Sequence, residues 1–284
     1  MNKYYQVLLS ALLYFFVSII HAAEPEPPKA PVENLKESLD EEESYWELDL
    51  GASLLYKRSY IKGIDHNENG NLSVGLHVSG GYYYKDFFIE THPLIGRPLT
   101  LGYSLQRTKK FVVNLIAESL FDGFGEDSQN HGNFLTGIKD RKTSLDAGLE
   151  AYYSYEYGEA RLRALHDISN THNGYVFAFD YAYPLFMKRW VIWPSYGISW
   201  ISDDSTDYYF GIDEDEARPD RPVYTPNSAI THKLSIYAAY QYNTHLSLIS
   251  YGDYVVFSNN INDSPLVSPN DDSIRIGMGV MWSF

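Results

Sequence analysis

Three groups of residues in this chain have types and spacings that could do chemistry. Asp167, Ser169 and His172 share one short stretch, and serine, histidine and aspartate are the parts of a base-activated nucleophile. His166 and Asp167, however, are sequence neighbours that point to opposite faces of a strand, which spoils them as base and orienter. Ser169 and His172 then read as hydrogen-bonding groups of a turn, and no catalytic residue is assigned. The second group is eight carboxylates, Asp203, Asp204, Asp207, Asp213, Glu214, Asp215, Glu216 and Asp220, against only Arg218 and Arg221. Such oxygen ligands suit calcium, which bridges lipopolysaccharide phosphates, but no EF-hand spacing is present; the expectation is a solvated acidic loop with no metal site and no cofactor. The third group is a charge cluster, Arg161 and Arg163 with Asp146, Glu150 and Glu118, in which charged and apolar positions alternate.

That alternation identifies the elements that must position these groups. From Trp46 onward the apolar period is two, and twelve such segments can be counted, at 46–56, 72–78, 82–90, 99–106, 111–121, 144–156, 159–168, 174–183, 188–201, 231–242, 245–257 and 273–284. Ten would remain if 82–90 and its neighbour were irregular. The connections alternate between a short set, 79–81, 107–110, 157–158, 184–187 and 243–244, and a generally longer set, 57–70, 91–98, 122–143, 169–173, 202–230 and 258–272. Short turns on one side and longer loops on the other, with an even strand count, describe an all-β transmembrane antiparallel up-and-down barrel. Leu145, Ala147, Leu149, Ala151 and Tyr153 then face lipid, as do Ala160, Leu162 and Ala164, while Asp146, Glu150, Glu159, Arg161, Arg163 and Asp167 face the lumen. A turn at Tyr157-Gly158 places Tyr152 opposite Arg163, with the two arginines meeting Asp146, Glu150 or Glu118. Trp193, Tyr152 and Tyr237 are further candidates to fill the interior, and Pro194, lacking an N–H within a strand, predicts a bulge.

Composition agrees. Tyr 26, Phe 14 and Trp 5 suit aromatic girdles at both membrane interfaces, and a formal charge of −15 argues against a nucleic-acid partner. With no cysteine, stability must come from burial and a closed hydrogen-bond ladder. Residues 1–23 read as a secretory signal with Lys3 in its basic start and Ala22-Ala23 at its end; removing it takes the charge from −15 to −16. Residues 24–44, with Pro25, Pro27, Pro28 and Pro31 before an acidic run, read as a periplasmic leader, and 45–284 as the barrel.

The chain ends with Ile274, Ile276, Met278, Val280, Trp282 and Phe284 on one strand face. Val280, Trp282 and the terminal Phe284 resemble the signal read by the bacterial barrel-insertion machinery. The segment 202–212, continued by Asp215-Glu216-Ala217 and Tyr224, resembles the long loop of the MipA/OmpV family of outer-membrane proteins. His166-Asp167-Ile168-Ser169 with His172-Asn173-Gly174, Ser264-Pro265-Leu266-Val267, Gly102-Tyr103 and Gly277 fit that family in order, whereas the first outer loop, Lys57-Arg58-Ser59-Tyr60-Ile61-Lys62-Gly63, departs from its acidic tyrosine-glycine pattern. The resemblance implies an outer-membrane barrel in contact with lipid and lipopolysaccharide. Its best-known member is a scaffold joining a murein transglycosylase to a penicillin-binding protein, and other members are antigens, adhesins or small-solute channels. No catalytic residue comes with it.

Overall fold

In the computed structural model, which describes residues 44–64, 71–126, 128, 133–268 and 272–284, alternating apolar and polar residues wrap into a closed antiparallel barrel. The strands are β1 (Ser44–Arg58), β2 (Asn71–Tyr84), β3 (Phe87–His92), β4 (Arg97–Arg107), β5 (Phe111–Glu118), β6 (Asp146–Tyr155), β7 (Gly158–Asp167), β8 (Tyr175–Ala182, resuming as Leu185–Met187), β9 (Trp190–Ile201), β10 (Ala229–Gln241), β11 (Leu246–Phe257) and β12 (Ser273–Ser283). Each pairs with its sequence neighbours, and β12 pairs with β1 from Asp49↔Ser283 to Arg58↔Ile274, closing a twelve-strand wall. The expected signal segment and the leader through residue 43 lie outside the described residues.

The facing follows the two-residue period. Leu149, Leu162, Val280 and Trp282 are exposed on the outside, while Asp146, Glu150, Arg161 and Arg163 are buried within. An ionised side chain placed halfway along β6 on the lipid side should therefore be costly. Leu149→Arg is expected to lose about 2–4 kcal/mol of folding free energy, and Leu149→Phe little, as read from urea midpoints in detergent or lipid.

Three turns sit elsewhere than the sequence suggested. The β2–β3 turn is Lys85-Asp86, with Lys85 at φ 53°, rather than 79–81. Gly80 looked like a turn residue, but it lies mid-strand at φ 139°, where a Cβ would collide with the Glu47 carbonyl; the glycine permits close strand approach. The β6–β7 turn comes one residue early, pairing Tyr155 with Gly158, so Tyr152 faces Arg161 and Glu150 faces Arg163. The β8–β9 turn is Lys188-Arg189, not 184–187, and Leu185–Met187 continues β8.

Pro194 makes no bulge. The register is the same on both sides of it, Ser195↔Ala182 above and Ile192↔Leu185 below, and Tyr183 still donates to the Pro194 carbonyl at 3.0 Å. Its missing N–H faces the Tyr183-Pro184 interruption of β8, where the ladder is already broken, so one lost bond requires no extra residue. Register shifts occur instead on β3 between Glu90 and His92 and on β4 between Ser104 and Gln106.

Candidate functional site

The interior is built from inward-facing side chains of β3 to β9 and opposing groups on β10 to β12. Glu118 at the end of β5 is fully buried and receives both guanidinium groups, Arg163 by a short Nη1 contact and Arg161 by Nη2 at 3.4 Å, while Thr100 donates to it at 3.1 Å. Arg161 also pairs closely with Glu150, whose other oxygen accepts from Asn114 at 2.9 Å, and Arg163 reaches Asp180 at 2.9 Å. Arg97 on β4 lies between Glu159 (3.7 Å) and Glu90 (3.9 Å). On the facing wall Asp253 accepts from Arg275 Nε at 2.6 Å and Ser235 at 2.7 Å, with Lys233 at 3.5 Å. Charges buried this far from bulk water persist because each has an opposite partner and further hydrogen bonds.

Asp146, expected among the arginine partners, belongs to a different network. It accepts from Ser144 at 2.6 Å and lies 3.2 Å from His172 Nε2; although it stands directly opposite Glu118 at the outer ends of β5 and β6, it meets the outer loops rather than the ion pairs. The ion pairs that do form tie β7 to β6 and β8 beside it and to β5 one strand further on, along one stretch of wall.

The connection between β3 and β4, expected as an outer loop at 91–98, turns inward. Pro93–Ile95 forms one 3-10 turn ended by Gly96 at φ 80°, and Leu94 is buried against Ile249, Tyr251 and Met281 of β11 and β12. Arg275 Nη2 donates to the Pro93 carbonyl at 3.4 Å, tying the insertion to the far wall. Beside it, bounded by Arg97, Tyr152, Arg161, Trp193 and Lys233, remains a cavity of about 50 Å³, room for a few waters. Two apolar residues, Leu94 and Ile95, in a short connection otherwise bound for water were the available sequence signal.

Above this the outer loops fold together. Ile61, Leu135, Ile138, Tyr209, Phe210, Ile212, Ile261, Leu266 and Val267 make a buried apolar cluster drawn from the loops after β1, β5, β9 and β11, and Val176, Ile201 and Ala229 at the strand ends complete it. The acidic segment packs into this cap through its apolar residues and the buried Glu216, while the other seven of its eight carboxylates stay exposed to solvent as expected. Asp203–Phe210 forms helix α1 with Ser202 at its N-cap and Asp203 and Asp204 in its first turn. Glu216 takes a two-pronged bond from Arg141 at 3.0 and 2.9 Å and accepts from the Lys139 and Asp213 backbone. Burial works to raise the Glu216 pKa, but the Arg141 and backbone hydrogen bonds outweigh it and hold the carboxyl below its ordinary value. Arg221, also fully buried, donates to the carbonyls of Phe134 (2.6 Å) and Glu216 (2.7 Å). Asp213 and Asp215 bracket Lys139 at 2.7 and 2.9 Å. Among the described residues no group of three or more His, Asp or Glu side chains converges as metal ligation requires.

Where cap meets barrel, Ser205, His172 and Asp146 line up, with Ser205 Oγ 2.9 Å from His172 Nδ1 and His172 Nε2 facing Asp146. The order is that of a hydrolytic triad, yet all three are sealed, and the Gly174 N–H donates to the same Nδ1 at 3.0 Å. Nδ1 therefore accepts, Nε2 carries the proton toward Asp146, and the histidine bolts α1 to the rim. Gly174 is required here, since a Cβ would collide with Ser202 and Ser205. Asp167 meanwhile gathers Ser169 Oγ (2.6 Å) and the backbone N–H groups of Ser169, Thr171, His172 and Asn173, a turn-stabilising carboxylate.

Fold, filled interior and folded cap together define a bacterial outer-membrane β-barrel with its lumen occupied and its outer mouth lidded. A family model described as MltA-interacting protein MipA matches residues 50–284, and the chain belongs to that family. Putative outer membrane protein YiaT of Escherichia coli K12 is 26% identical over 239 residues, covering 84% of this chain and 91% of that protein. The MltA-interacting protein of E. coli K12 is 26% identical over 236 residues (78% and 93%), and outer membrane protein OmpV of Vibrio cholerae is 26% identical over 242 (85% and 88%).

Proposed function

We propose that this barrel is a non-enzymatic envelope scaffold that holds a murein-hydrolysing transglycosylase near a murein-synthesising penicillin-binding protein on the periplasmic side of the outer membrane. The observation that carries the reading is the occupied interior: an inserted segment at 93–96, an ion-paired wall and an apolar cap leave no wide path for solute. The E. coli relative is named for interacting with MltA, which supports the partner class. Exposed Lys85, Lys109 and Lys110 on the periplasmic turns offer a basic rim for docking. The test pairs two measurements on detergent-purified full-length protein. Retention of a transglycosylase and a penicillin-binding protein from solubilised envelopes, with silence in planar bilayers, is expected. Stable ohmic steps without retention of either enzyme would favour a small-solute channel and overturn the scaffold.

Assembly belongs to the same reading. Val280, Trp282 and Phe284 share the lipid face of β12, with Phe284 64% exposed at its end, a surface available to the insertion machinery. Deleting Phe284 is expected to lower the folded, heat-modifiable form in the outer membrane severalfold while synthesis stays constant. Equal folded amounts would remove the signal role.

A further inference from the structure

The wall is not equally tall all round. β2 pairs with β3 only from Gly80↔Thr91 to Tyr84↔Phe87, because β3 stops at His92 and the chain turns into the lumen. β4 starts at Arg97 and pairs with β5 only from Thr100↔Glu118 downward. Over its outer half, Leu72 to Ser79, β2 pairs with β1 on one side, and among the described residues no strand pairs with its other side. A strand edge at this height faces the outer leaflet, where unpaired N–H and C=O groups are costly unless polar partners or water reach them. The exposure pattern marks the same gap. Leu76 is 83% exposed and Leu72 74%, against 51% for Leu149 and 56% for Leu162 on strands flanked on both sides.

Behind the edge the lumen wall is polar. Ser53 Oγ lies 2.7 Å from His77 Nε2 and 2.9 Å from Tyr251 Oη, and Ser73, on the inward side of β2, is exposed. At the upper corner Lys57 stands opposite Asn71 and is exposed, whereas Arg58 and Lys62 beyond it donate to the Asp272 and Pro265 carbonyls, which leaves the Lys57 ammonium to meet an anionic head. An apolar row outside, a backbone edge that no described strand covers, a polar recess inside and an exposed lysine at the corner match a molecule with acyl chains and a phosphorylated polar head.

We infer that the gap between β2 and β5, above the in-turned 93–96 segment, is a lateral window that takes up the head of an outer-leaflet lipopolysaccharide. A second copy of the chain does not fit the edge. Copies in one membrane are related by rotation about its normal, so two β2 strands tilted by about 35–45° would cross at roughly 70–90° and could not pair.

The test places a photo-crosslinking residue at Ser73 or at His77 in the full-length protein in intact outer membranes. Inward-facing Ser195, whose strand is paired on both sides, is the control. Heat-modifiability shows that each variant is folded, and two positions guard against one failing. Lipopolysaccharide adducts at Ser73 or His77, absent at Ser195 and reduced severalfold by Lys57→Glu, are expected. Folded protein without lipid adducts at either position, equal adducts at Ser195, or an adduct that carries a protein strand would overturn the window.

Discussion

Glu118→Ala is expected to cost about 3–5 kcal/mol of folding free energy, because it strips two buried guanidinium groups of a shared partner at once. Glu118 has no exposed surface, and Arg161 and Arg163 are themselves buried, so water cannot replace the carboxylate. Arg161 keeps Glu150 and Arg163 keeps Asp180, which sets the loss near the value for one broken buried pair rather than two. Glu118→Gln preserves an acceptor for Thr100 and one arginine, and should fall in between. Replacing Glu118 and Arg163 together by apolar residues of similar size should recover much of the loss, since the penalty lies in the stranded charge. Urea unfolding in detergent micelles, followed by the heat-modifiable band, measures all three. A single-alanine effect as small as that of an exposed ion pair would mean that the interior is wet, and with it the reading of a filled lumen would fail.

Much of this wall was legible because a barrel in lipid leaves the chain little choice. Residues of opposite polarity must alternate, and Leu149 between Gly148 and Glu150 can point only one way. Turn positions were less legible, since glycine serves two purposes: Gly80 marks close approach of two backbones, whereas the actual turn uses Lys85 in the left-handed region. The one-residue slip at Tyr155↔Gly158 moved the cross-strand partners of Arg161 and Arg163 two residues along β6 without changing which face they occupy, because a hairpin slip moves the register by two. What the period could not reveal was the cap. Arg141 meets Glu216, and Ser205 meets His172, across loops far apart in sequence, and no local pattern encodes such contacts. The inward fold of 93–96 was equally hidden, although Leu94 and Ile95 are out of place in a loop meant for water.

Glu216→Ala should open the cap while leaving the barrel standing. The substitution leaves the buried Arg141 guanidinium without its carboxylate and frees the backbone N–H groups of Lys139 and Asp213, at an expected cost of about 3–5 kcal/mol borne by the loops. Acid should do the same to the unaltered protein. The folded Glu216 carboxyl lies below its ordinary value near 4.5, so its contribution is complete above that pH and is lost as pH falls through the folded value. Hydrogen exchange at α1 and protease cleavage of 202–228 on intact cells should both rise in Glu216→Ala at neutral pH, and in the unaltered protein only on acidification. Unchanged protection in the variant would show that the apolar cluster alone holds the loops. Conductance separates the cap from the inner obstruction, because opening the loops still leaves Leu94 packed against Ile249 and Tyr251. Glu216→Ala alone should therefore stay silent in planar bilayers, and only its combination with shortening of 93–96 should conduct. The two closures act in series, and a pore that appeared on loss of the cap alone would place the barrier at the mouth rather than in the lumen.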